Sequence, residues 1–171
     1  SSRDGVHWRR PFPEAWLRAG RDERNWTHRN NCPGIGILPL REDEWSMVVS
    51  EHYGWPDNRL RRLSLRPWGF ASVGAGYAGG RFVTRPLRLA GQELRLNFST
   101  SAVGSVAVEI RHADGRPVAG RTFADMSPVY DDRLDAPVTW TAGADLSGLA
   151  GTPVRLAVEL KDADLFALRC V

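Results

Sequence analysis

Glu51, His52 and Tyr53 stand together directly after the apolar run Met47-Val48-Val49-Ser50. A carboxylate beside an imidazole can position sugar hydroxyls, or each can tune the other's proton affinity. Neighbouring side chains on a strand point to opposite faces, so only one of Glu51 and His52 can face a given pocket. The competing role for both is to cap a loop or lie on the surface. A second group, Trp26, His28, Asn30 and Asn31, falls in a long irregular stretch, and such stretches collect binding groups. A Trp face beside amide donors suits a pyranose ring, though Trp26 could equally plug an apolar layer while the amides satisfy turns. Asp125, Asp131, Asp132 and Asp135, with Tyr130 among them, form a third group. Calcium takes several oxygen ligands from loops of this kind, but the DxDxDG spacing and its glycine are missing. No cofactor is expected, and a solvated acidic loop with side chain to backbone bonds accounts for these aspartates.

Other chemistries find no residues to carry them. There is no GxSxG nucleophile turn, no HExxH and no phosphate-cradling glycine loop ahead of a helix. Cys32 and Cys170 lie almost a chain length apart without CxxC spacing, so zinc has little support. One disulfide or two free thiols both remain open. The net charge is +3, yet the basic residues are twenty-two Arg against one Lys and alternate with acids along the chain. A nucleic-acid binder would gather them into a stripe among stacking aromatics; Arg59, Arg61 and Arg62 are the only dense cluster, and the solvated face of a strand explains them. No apolar run approaches the ~20 residues of a membrane span. The chain opens at Ser1 with no apolar leader, so a mature or cut chain is expected.

The elements that must position these residues are strands. Leu94, Leu96 and Phe98 alternate with Arg95 and Asn97; Val106, Val108 and Ile110 with Ala107 and Glu109; Val154, Leu156, Val158 and Leu160 with Arg155, Ala157 and Glu159. Period-two alternation of this kind marks strands with one buried face. Turn residues separate them at 90–92, at 102–105 and at Asp114-Gly115. The run Lys161-Asp162-Ala163-Asp164 is read as a turn into a last strand over 165–170, while Gly74, Gly76, Gly79 and Gly80 let the chain turn. With no amphipathic helix of ten residues, the pattern predicts a β-sandwich.

The first part reads as less regular β structure. Strands are expected over 34–40, 44–50 and 60–65, with turns at 41–43 and 54–58 and a loop over 11–33. Six of the seven Trp and three of the four His lie in the first 68 residues. Residues 1–70 carry twelve Arg and nine acids, whereas 71–171 balance. Both shifts place a boundary at 67–69, giving domains 1–68 and 69–171. A few strands bearing so many Trp cannot close a core alone, because a single sheet leaves one face wet.

Ser2-Arg3-Asp4-Gly5-Val6-His7-Trp8 has the form S-x-D-G-x-x-W and resembles the Asp-box turn of sialidases and related β-propeller proteins. There the Asp (here Asp4) and Gly (Gly5) shape a hairpin turn and the Trp (Trp8) packs inside a blade, a structural role. The order of segments that follows, Glu44-Trp45-Ser46-Met47, the strand over 60–65 running into Arg66-Pro67-Trp68-Gly69-Phe70, then the sandwich, resembles the C-terminal end of proteins related to glycoside hydrolase families 32 and 43. The resemblance implies an all-β chain made of a terminal propeller blade or partial blades followed by a C-terminal β-sandwich. It further implies that Glu51 or His52 reaches the rim of a sugar pocket, with Trp26 and Asn31 as substrate-binding candidates. Family carboxylates come from several blades, so a complete acid and nucleophile pair is not expected here. The expected partners are carbohydrate and the remaining blades or another protein chain, with no nucleic acid and no membrane span; secretion or periplasmic export is the expected localisation. A noncatalytic carbohydrate-binding module, stacking sugar on Trp68, Tyr77 or Tyr130, is the alternative, and a structural interaction module a third.

Overall fold

The structure is a computed structural model describing Ser2, residues 4–29 and residues 32–171, with the backbone alone for 27–29 and 32. The chain is all-β, with two antiparallel sheets. It divides into two compact units, Ser1–Leu65 and Arg66–Val171.

In unit 1 the long strand β3 (Glu44–Glu51) is central. β1 (Cys32–Pro33) and β2 (Leu38–Arg41) pair along one of its edges and β4 (Arg59–Leu65) along the other. The short polar link between β2 and β3 and the 52–58 turn between β3 and β4 follow the expected hairpins. The stretch expected as pure loop instead holds a 3-10 helix, Glu23–Arg29, and β1. Among the described residues of unit 1, Val49 is the only buried hydrophobic. Val6, Trp8, Ile35, Ile37, Leu38, Leu40 and Leu60 are all exposed.

Unit 2 is built on two long strands, β8 (Leu94–His112) and β10 (Pro153–Cys170), paired over almost their whole length. β5 (Val73–Ala75), β6 (Gly80–Val83) and β7 (Leu87–Arg88) succeed one another along the other edge of β10. β9 (Asp132–Pro137) runs beside the first half of β8. The expected turn at 102–105 is therefore inside a strand. Leu94, Leu96 and Phe98 on one side of it, and Val106, Val108 and Ile110 on the other, enter one common core with Leu156, Val158 and Trp140. The face of one sheet thus carries a single core, which Met126, Val138, Trp140 and Leu146 from the connecting segments join.

Two residues mark where the long strand pair departs from regularity. A Cβ on Gly104 would lie 2.3 Å from the Asp162 carbonyl oxygen and 2.8 Å from that of Lys161, so only glycine lets the strands approach there. Opposite, Asp162 has φ 42 and the register shifts between Lys161 and Ala163. That irregularity is a bulge, not the expected turn, and it changes the inward-facing set from Val158 and Leu160 to Ala163 and Leu165. The Asp114-Gly115 turn closes as expected, with Gly115 at φ 94 and His112 N–H donating to the Arg116 carbonyl at 2.8 Å. All twelve of the largest fully buried side chains lie in unit 2. At roughly 1.5–3 kcal/mol for each large apolar side chain buried, the hydrophobic driving force belongs to this unit.

Candidate functional site

The chemistry anticipated around Glu51 and His52 gathers at the end of β3. Glu51 is the last residue of the strand and pairs across the sheet with Arg59. Its side chain is buried, and both oxygens are taken: Arg59 Nε donates to Oε2 and Arg61 Nη1 to Oε1, each at 2.9 Å. Arg61 foremost, then Arg59, holds the carboxyl below its ordinary range, against the opposing effect of burial. Arg62, on the other face of β4, bonds Glu44 at 2.7 Å and Ser46 Oγ at 3.0 Å. Each arginine of the dense cluster thus meets a carboxylate, Arg59 and Arg61 sharing Glu51 and Arg62 taking Glu44.

His52 leaves the strand with φ 55, a conformation that costs a non-glycine residue roughly 1–3 kcal/mol and needs compensation. Its backbone N–H donates to Asn25 Oδ1 at 3.0 Å. Its ring is only 5 % exposed as part of the residue and lies between two carboxylates. Nε2 is 2.8 Å from Asp22 Oδ2 and Nδ1 is 2.8 Å from Asp57 Oδ2. With both nitrogens facing anions, the imidazolium is favoured: the bond to Asp22 first, then that to Asp57, raises the proton affinity above its ordinary value despite burial. Asp22 and Asp57 are correspondingly held below the usual carboxylate range, chiefly by His52. Arg24 pairs with Asp57 and its guanidinium lies 5.5 Å from the Trp55 ring centroid. The turn itself is closed by Trp55 N–H to the His52 carbonyl and Asn58 N–H to the Trp55 carbonyl, both 3.0 Å, and by Asn58 Nδ2 on Ser50 Oγ at 2.9 Å.

Charges therefore alternate from Arg61 through Glu51, Arg59, Asp22, His52 and Asp57 to Arg24, with Arg59 also lowering Asp22. Trp26 adjoins this network through Asn25; its indole N–H donates to the Gly20 carbonyl at 3.1 Å, and the residue is 55 % exposed. Glu51, His52 and Trp26 are thus brought to one end of the unit, while Asn31 lies outside the described residues. Asp22, Asn25 and Asp57, which hold the centre together, drew no attention in the sequence. A general acid needs a raised carboxyl pKa, whereas Glu51 is lowered and doubly bonded. The arrangement can present fixed charges, amide groups and an indole face to a polar ligand.

The residue 2–8 turn is built around Asp4. Oδ1 accepts from Val6 N–H at 2.9 Å and His7 N–H at 2.8 Å, while Oδ2 lies 2.6 Å from His7 Nδ1. The His7 backbone bond, then its side chain, then Val6 push the Asp4 carboxyl far below the ordinary range. Ser2 Oγ accepts from Gly5 N–H at 2.8 Å, Gly5 takes φ 74, and Ser2 and Trp8 bridge the ends. Trp8 donates its indole N–H to the Gly5 carbonyl at 3.1 Å, and the residue is 72 % exposed rather than packed inside a blade.

The four candidate aspartates, Asp125, Asp131, Asp132 and Asp135, are spread over separate tasks. Asp125 accepts from Thr122 N–H and Oγ1, Asp132 pairs with Arg66, and Asp135 with Arg95 and Arg169. Asp131 accepts from Asp132 N–H at 2.8 Å. Among the described residues no His, Cys, Asp and Glu side chains converge as metal ligands. Cys170 is a free thiol. No helix is long and apolar enough to cross a membrane among the described residues.

No protein-family model, curated protein or solved structure matches the chain.

Proposed function

We propose that this chain is the C-terminal portion of a glycoside-hydrolase-like, carbohydrate-active protein. In this reading unit 2 is a sandwich-like buttress, and unit 1 supplies blade strands that further sheet completes. The observation that supports it is the tight turn built on Asp4, which accepts from Val6 and His7 N–H while Ser2 Oγ accepts from Gly5 N–H, at the residues that carry the Asp-box resemblance. The apolar surface left open on unit 1, including Trp8 and β2, agrees with a missing neighbour. Carbohydrate, the remaining blades or another chain, and an exported location belong to the same reading.

Within it, the Glu51 and His52 network is a fixed polar scaffold beside Trp26, not an acid and nucleophile pair. Every carboxylate in the network is engaged by a cation, so none is placed to give a proton to a leaving group. The chain by itself should therefore hydrolyse no glycoside.

Tyr77 and Tyr130, 68 % and 73 % exposed on unit 2, favour a second reading, a noncatalytic carbohydrate-binding module. Lys161 Nζ sits 4.7 Å from the Tyr77 ring centroid, leaving Tyr130 as the more available stacking face. Glycan-array binding by this chain, lost in Tyr130→Ala, would favour that module over the buttress.

A further inference from the structure

We infer that His52 is a proton-operated latch, fastening the segment that carries Asp22, Asn25 and Trp26 to the turn that carries Asp57. The latch operates whatever ligand the chain takes.

The geometry is specific to an imidazolium. A neutral ring has one donor and one acceptor nitrogen; here both nitrogens meet carboxylate oxygens at 2.8 Å. Whichever tautomer forms on proton loss, one carboxylate then faces a lone pair and the contact becomes repulsive. The two anions come from places 30 and 5 residues away in the chain, so the ring links segments that nothing local in sequence would join. Other ties also cross between the same two segments, among them Arg24 to Asp57, Arg24 over the Trp55 ring and the His52 N–H to Asn25 Oδ1 bond, but of these contacts only the two at the His52 ring depend on its proton.

The charged groups around the ring determine the direction. The segment before β1 brings Asp22 and, through Asp57, Arg24; the turn brings Asp57; β3 brings Glu51; β4 brings Arg59, which acts on Asp22. Glu51 is committed to Arg59 and Arg61, so the two aspartates dominate at the imidazole. A proton on His52 completes the alternation of sign from Arg61 to Arg24. Its loss leaves Asp22 and Asp57 flanking an uncharged ring.

The sign of the linkage follows. His52 binds its proton more tightly latched than released, so the latch is fully engaged below the released pKa of about 6.5 and weakens as pH rises through the latched value. Asp22 and Asp57 are lowered in the latched form, so their contribution is present above an ordinary carboxylate pKa of about 3.9 and fades in stronger acid. Mildly acidic solution therefore holds the Trp26 segment more firmly, and rising pH loosens it.

The test is an NMR titration of the full chain. The His52 ring Cε1–H signal is assigned by removing the other three imidazoles in His7→Gln, His28→Gln and His112→Gln variants. Amide exchange over residues 20–29, corrected for its intrinsic pH dependence, is followed in parallel. The expected result is a His52 midpoint above 6.5, moved down in Asp57→Asn and in Asp22→Asn. Corrected exchange should rise by up to about tenfold for each pH unit between 6.5 and that midpoint, while exchange in β8 and β10 stays constant. A midpoint at or below 6.5, or protection of residues 20–29 that does not change across it, would overturn the latch.

Discussion

Asn97 Nδ2 donates a 2.7 Å hydrogen bond to the backbone oxygen of Pro67, across 30 residues of chain. Asn97 is buried on β8, and its Oδ1 finds no donor among the described residues. Its amide group therefore depends on Pro67. One residue earlier, Arg66 bonds Asp132 at 2.7 Å and the Phe98 and Arg133 carbonyls at 3.3 and 3.2 Å, with its guanidinium 4.3 Å from the Phe166 ring centroid. Residues 66 and 67 are thus tied to β8 and β9 of unit 2, slightly before the boundary that composition suggests.

A chain of residues 66–171 should accordingly be more stable than one of residues 69–171, though both should fold on the shared core. Stranding the buried Asn97 amide alone costs about 1–3 kcal/mol, and the Arg66 contacts add to it. Urea denaturation of the two chains measures the difference; equal midpoints would show that these contacts contribute nothing.

The strands of unit 2 were legible because alternation survives in the sequence wherever one face is buried, as with Leu94, Leu96 and Phe98. What alternation could not convey is that β8 passes straight through residues 102–105. A small-residue run reads as a turn, and the closeness of Gly104 to Asp162 depends on pairing with a strand nearly 60 residues on. The Asp162 bulge escaped for the same reason. At the candidate site, Glu51, His52 and Trp26 were visible by type. Their partners were not, because Asp22 and Asn25 reach His52 only after the chain turns back from a stretch without periodicity.

Asp4→Ala should dissolve the residue 2–8 turn, since one carboxylate serves Val6 and His7 together. The expected outcome is loss of amide protection at those two residues, with β8 and β10 unaffected. In the unchanged protein the Asp4 carboxyl is lowered on folding, so its contribution is present above an ordinary pKa of about 3.9 and lost only as pH falls through the folded value. Protection at Val6 and His7 should therefore persist at pH 3; protection that vanishes with a midpoint near 4 would contradict the Asp4-centred turn.

Unit 1 should associate, either with further sheet or with itself. Leu38 and Leu40 are exposed on β2, which among the described residues pairs with β3 alone, and each large apolar side chain left wet forgoes roughly 1.5–3 kcal/mol. Sedimentation of the purified chain should show self-association or strong binding of an apolar dye, reduced in a Leu38→Ser, Leu40→Ser double variant. A monomer at micromolar concentration that binds no dye would mean that unit 1 needs no neighbour.

The most direct test compares this chain with the product of the complete gene on a panel of aryl glycosides and immobilised glycans. The account predicts no turnover by this chain alone, and hydrolysis or glycan binding by the complete product. Turnover by this chain that is lost in Glu51→Gln, or a complete product that neither binds nor cleaves any glycan, would contradict it.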